Sequence, residues 1–65
     1  MTGKEWLLQN NSFMEEIASA IITGEKKYFA SVPQEYADEV VDILINVDEV
    51  VNVEKIAEGL WIYFR

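Results

Sequence analysis

The C-terminal stretch VVNVEKIAEGLWIYFR, Val50 to Arg65, is the part of the chain richest in β-branched and aromatic residues. Glu58-Gly59 divides it into two strand-like runs and reads as a two-residue turn. A hairpin closed there pairs Ala57 with Leu60, Ile56 with Trp61, Lys55 with Ile62, Glu54 with Tyr63 and Val53 with Phe64. That register puts Val51, Val53, Ala57, Leu60, Ile62 and Phe64 on one face, with Lys55 the sole misfit. Asn52, Glu54, Ile56, Trp61, Tyr63 and Arg65 fall on the other, as strict alternation requires. A helical turn over Val53 to Glu58, capped by Asn52 and Gly59, competes for the same residues.

Towards the N-terminus, Tyr36, Ala37, Val40, Val41, Leu44 and Ile45 form an apolar stripe at helical spacing, broadened by Ile43 and Val47. The acids Glu35, Asp38, Glu39 and Asp42 recur at i, i+3, i+4 and i+7 on the opposite face, which predicts a strongly amphipathic helix. Pro33 suits its first turn, where a missing N–H costs nothing. Before it, Tyr28, Phe29 and Val32 favour a strand within Lys26 to Val32. Phe13, Met14, Ile17, Ala18, Ile21 and Ile22 outline another helix from Ser12, with Gly24 as its stop. Thr2 opens a short first helix of one or two turns carrying Trp6, Leu7 and Leu8, stopped at Asn10-Asn11, where asparagine tolerates a left-handed backbone. Three helix starts pair a hydroxyl with an acid or amide three residues on: Thr2 with Glu5, Ser12 with Glu15, and Ser31 with Gln34.

The expected fold is therefore α+β in a single domain over residues 1–65. Two N-terminal helices, a strand, an amphipathic helix and a C-terminal β-hairpin form a three-stranded antiparallel sheet with helices on one face. From about Ser12 onward, the order helix, strand, helix, hairpin resembles a winged-helix domain in topology alone. That family places a further, often basic recognition helix before the hairpin. Asn46 to Val51 leaves scarcely a turn for one and supplies Asp48 and Glu49 instead.

Composition narrows the chemistry. The chain has twelve acidic and five basic residues, a formal charge of −7, and neither cysteine nor histidine. Disulfides are excluded, and the usual zinc, haem and iron–sulfur ligands are missing. No cofactor or metal is expected. Asp48, Glu49 and Glu54 with Asn46 and Asn52 lack the glycine turn and acid spacing of a calcium loop. Gly24-Glu25-Lys26-Lys27 is not glycine-rich enough to cradle phosphate. General acid–base or nucleophilic catalysis needs a group poised near neutral pH, and two of the usual residue types are absent. A non-enzymatic protein is expected.

Lys4, Lys26, Lys27, Lys55 and Arg65 are scattered except for one adjacent pair, which disfavours direct nucleic-acid or anionic-membrane binding. The longest apolar run, Leu60 to Phe64, is far short of the ~20 residues a spanning helix needs. The start lacks the pattern of a signal peptide, so a cytoplasmic location is the default expectation.

Two surfaces then compete with the plainer readings of a solvated helix face and a packed core. Glu35, Asp38, Glu39 and Asp42, with Asp48 and Glu49, would attract a basic partner. Trp61 and Tyr63 would supply aromatic contact, with Trp61 as the anchor, unless they pack beneath the first helix with Trp6. The leading expectation is a small acidic protein-binding module, a regulator or inhibitor that docks a basic protein surface, with nucleic-acid mimicry as its extreme form. A structural homodimer, or a winged-helix-like regulator without DNA binding, is the alternative.

Overall fold

A computed structural model describes all residues, Met1–Arg65. The elements are α1 (Gly3–Gln9), α2 (Asn11–Ile22), β1 (Lys27–Ser31), α3 (Gln34–Leu44), β2 (Val50–Ile56) and β3 (Gly59–Phe64). The strands form one antiparallel sheet in the order β1-β3-β2, so the last strand lies in the middle. The α+β fold expected from the sequence is present, and Val53 to Ile56 is strand rather than a helical turn. Between α3 and β2 the chain only turns, through Ile45 to Glu49, and holds no recognition helix.

Thirteen of the fifteen buried residues form one hydrophobic core between the helices and one face of the sheet. Leu60, Ile62 and Phe64 of β3 supply its floor, and Ala37, Val40 and Leu44 of α3 lie among its most buried members. Phe13, Ile17 and Ala20 close it from α2, and Leu7 from α1. The α3 stripe falls where expected, with Ala37, Val40 and Leu44 buried and Tyr36, Val41, Ile43 and Val47 packed against the core, except that Ile45 turns out to solvent at the helix C-cap. On α2 the buried line differs more from expectation: Ala20 takes an inward place while Met14, Ala18 and Ile22 face out.

The hairpin differs from the expected register. Ile56 pairs with Gly59, Lys55 with Leu60, Glu54 with Trp61 and Val53 with Ile62, so Ala57 and Glu58 make the turn. No non-glycine residue in the chain has positive φ, so this turn needs no glycine, and Gly59 joins the strand instead. Its position explains why. A Cβ there would collide with the Ala30 carbonyl oxygen and lie 3.0 Å from the Ser31 Cα, because β1 passes too close for a side chain.

The slip is by two residues between partners, so each side chain keeps its face. A bulge between Val50 and Asn52 then alters the far end, pairing Val50 with Phe64. Val50 is 8% exposed and Val51 58%, which reverses the inward position expected for Val51. Lys55, the misfit on the apolar face, lies at its margin and reaches Asp38 on α3 at 2.9 Å.

The caps differ as well. Thr2 and Glu5 form the reciprocal box, with the Thr2 hydroxyl accepting from Glu5 N–H at 3.2 Å and Glu5 Oε1 from Thr2 N–H at 3.0 Å. The boxes expected at Ser12 and Ser31 are absent. Helix α2 begins before Ser12, with Asn10 at its N-cap, and α3 begins behind Pro33. Asn10 ends α1 at φ −115° rather than in a left-handed conformation. Its side-chain amide donates to the Trp6 carbonyl at 2.8 Å, so it serves the end of α1 and not the start of α2. At the other end of α2, Gly24 adopts φ +80°. Gly24 N–H donates to Ile21 O at 3.1 Å and Glu25 N–H to Ala20 O at 3.0 Å, the paired bonds of a Schellman stop.

Candidate protein-binding surfaces

The sheet separates the residues singled out in the sequence. Alternation along β3 sends Leu60, Ile62 and Phe64 inward and Trp61 and Tyr63 outward. The acids of α3 belong to the helix layer on the inner side, and Trp61 and Tyr63 to the uncovered side. The α3 acids and the hairpin aromatics therefore lie on two separate faces.

On the helical side, the four α3 acids differ in their surroundings. Glu39 turns towards α1, where its Oε2 accepts from Gly3 N–H at 3.0 Å. A carboxylate there satisfies a free donor and complements the partial positive charge of the helix start. Asp38 turns the other way, to Lys55 on β2, in a pair whose side chains are 84% and 47% exposed. Screening at such exposure makes this ion pair worth only ~0.5 kcal/mol or less. Glu35 and Asp42 point outward without an ion-pair partner, as do Asp48 and Glu49 in the α3–β2 connection. The Arg65 backbone N–H donates to the Glu49 carbonyl at 2.9 Å, which ties that connection to the end of the sheet.

The helices also enclose a feature that was not anticipated. A groove of about 500 Å³ runs between them, lined by Lys4, Leu7 and Leu8 of α1, Asn11 and Met14 of α2, and Ile43 of α3. Leu8 is 67% exposed and Met14 37%. On α2 the apolar line continues from Met14 to Ala18 and Ile22, four residues apart and outward-facing. Glu15 adjoins Met14 on α2, while Glu39 and Asp42 precede Ile43 by four and one residues on α3. The signal was present in the sequence as an apolar set on α2 too wide for one buried stripe.

On the other side of the sheet, three cross-strand rows are uncovered: Lys27–Tyr63–Asn52, Phe29–Trp61–Glu54 and Ser31–Gly59–Ile56. Trp61 packs on Phe29 with ring centroids 5.2 Å apart, and the Lys27 ammonium lies 5.0 Å from the Trp61 ring centroid. Phe29, Trp61, Tyr63 and Ile56 are half-buried. The expected alternative, Trp61 packed with Trp6 under α1, is not what forms. Trp6 instead meets Phe13 edge-on at 5.4 Å and stacks near Tyr36 at 6.4 Å within the helical layer.

A smaller cleft of about 190 Å³ lies between α1, α2 and β1, bordered by Trp6, Phe13, Glu16 and Tyr28. There the Tyr28 hydroxyl donates to Glu16 Oε2 at 2.6 Å. That hydrogen bond, with partial burial and the carboxylate's charge, raises the Tyr28 pKa above its usual 10.0. No group of three or more acidic side chains converges as a metal centre would require, and no helix is long and apolar enough to cross a membrane. No family model, curated protein or solved structure matches the chain.

Proposed function

We propose that this chain is a non-enzymatic, acidic protein-binding module whose helical side receives a basic amphipathic segment of another protein. The observation that carries this reading is the apolar groove formed by Leu7, Leu8, Met14 and Ile43 in a helical layer with a large excess of acids. Across α1, α2 and α3 there are seven acidic residues, Glu5, Glu15, Glu16, Glu35, Asp38, Glu39 and Asp42, against one lysine, Lys4. An amphipathic helix lays its apolar face in such a groove, and its basic residues would then be attracted by the acidic excess of the surrounding helices. Asp42 and Glu15, sequence neighbours of the lining residues Ile43 and Met14, are exposed and without an ion-pair partner. Glu39 already holds α1 through Gly3, and Asp38 faces Lys55. The nucleic-acid mimic is less favoured, because two of the four α3 acids engage groups within the chain.

The test is a titration of the isotopically labelled protein with basic amphipathic helical peptides and with acidic peptides of the same apolar pattern. Shifts centred on Leu7, Leu8, Met14 and Ile43, produced by the basic set and weakened by salt, are expected. Equal binding of both sets, or shifts away from the groove, contradicts the reading. Met14→Glu is expected to abolish the response while leaving the fold intact, because that side chain already reaches solvent.

A further inference from the structure

We propose that the uncovered sheet face is a self-association surface, on which two copies of this chain pack sheet against sheet about a two-fold axis running along β3. The first ground is how charge is distributed. The helices carry seven acids and one lysine, whereas the strands and connections carry five acids, Glu25, Asp48, Glu49, Glu54 and Glu58, against four basic residues, Lys26, Lys27, Lys55 and Arg65. Two copies approaching through their helices bring like charges together. The nine residues of the three uncovered rows hold one positive charge, Lys27, and one negative charge, Glu54. These paired rows are therefore neutral in a chain of net charge −7, with Arg65 following just beyond their end.

The second ground is where those two charges lie. Lys27 is on edge strand β1 and Glu54 on edge strand β2, with Trp61 of the central strand between them. A two-fold axis along β3 lays β1 of each copy over β2 of the other. Each Lys27 then lies over Asn52 of the second copy, one outward row and about 7 Å along the strand from its Glu54, within reach of the lysine side chain, and the diagonal pairing occurs twice, as an isologous interface requires. Trp61 falls near the axis and meets its own counterpart, flanked by Phe29 and Tyr63. Aromatic residues at the centre and charges at the rim match the usual arrangement of protein interfaces. A foreign partner would need only to be apolar; the antisymmetric charge pair is what a second copy matches.

The patch also sets the strength. Three strands ~4.8 Å apart and five to six residues long give a face on the order of 300 Å², well below the ~800 Å² per partner of a standard stable interface. The dimer is accordingly weak, with dissociation expected between tens and hundreds of micromolar. This proposal involves the face opposite the groove and stands independently of what the groove binds.

Sedimentation equilibrium from about 5 μM to 1 mM should show the mass rising from 7.5 kDa towards twice that value. Concentration-dependent amide shifts should centre on Phe29, Glu54, Trp61 and Tyr63. Lys27→Glu and Glu54→Lys should each weaken association at least tenfold, since each turns both rim pairs into like-charge pairs. An equimolar mixture of the two variants, and the double variant carrying both changes, restore opposite pairing and should recover it. The recovery also excludes misfolding as the cause of the single-variant losses. A monomer at every concentration, shifts centred on the helical groove, or single variants that associate as the unaltered chain does would each overturn the proposal.

Discussion

Strand β3 presents two chemically different faces within six residues. Its inward set, Leu60, Ile62 and Phe64, is buried in the only core the molecule has, whereas Trp61 and Tyr63 between them lie half-exposed on bare sheet. The inward face supplies the core, and the outward face keeps aromatic surface half-exposed, with Trp61 packed on Phe29 and under Lys27. Charge follows the same division, with the acids crowded on the helices that cover the inward face. The contrast shows that one alternating strand can bury one set of side chains and leave the next set open to contact, because neighbouring residues never share a surface.

Gly59 offers the most severe way to break that separation, since it is the one outward-facing position on β3 that is buried. Gly59→Ala drives a methyl group into the backbone of β1, which cannot move aside as a flexible side chain would. A loss of about 3 kcal/mol or more is expected from such overpacking, measured by urea denaturation. That is a large fraction of the stability available to a domain this small.

The helical layer can be loosened separately. Glu39→Ala removes the carboxylate that accepts from Gly3 N–H. It should cost about 1 kcal/mol, with faster amide exchange confined to α1. Asp42→Ala, an exposed acid on the same helix, should cost less than ~0.5 kcal/mol and so acts as the control.

The smallest effect should come from the Tyr28 hydroxyl. Tyr28→Phe deletes one exposed hydrogen bond to Glu16, with an expected loss of about 0.5 kcal/mol. Because the folded-state pKa of Tyr28 is raised, its contribution is complete below pH 10.0 and is lost as pH rises through the folded-state value. The unaltered protein should therefore lose stability more steeply than Tyr28→Phe above pH 10.0, as read by thermal melts across that range.

Much of the fold was legible in local patterns. The period of α3 and the Thr2–Glu5 cap needed only near neighbours, as did the Gly24 stop. The hairpin faces were legible for the same reason, since alternation survives a two-residue slip. What escaped depended on distant contacts. Gly59 reads as a turn residue until β1 is seen to press on it, and Val51 reads as core until the bulge puts Val50 opposite Phe64. Ser12 and Ser31 satisfied a capping pattern at positions where the chain starts its helices elsewhere. At the candidate surfaces, residue types were legible but grouping was not. Glu35, Asp42, Trp61 and Tyr63 are exposed or half-exposed, yet the aromatics lie across the sheet from the acids. The groove depends on Leu8, Met14 and Ile43 meeting from three helices, which no single periodicity reveals.

The most direct test of this division of labour is to truncate two adjacent residues of one strand and compare their unfolding free energies in urea. Ile62→Ala and Trp61→Ala should be measured at about 1 μM, where self-association makes no contribution. Ile62 is fully buried, and its truncation should cost about 3 kcal/mol. Trp61→Ala loses its contacts with Phe29 and Lys27 at a half-exposed site and should cost about 1 kcal/mol. A Trp61→Ala loss equal to or greater than that of Ile62→Ala would contradict the account, because the outward face would then be part of what holds the monomer together.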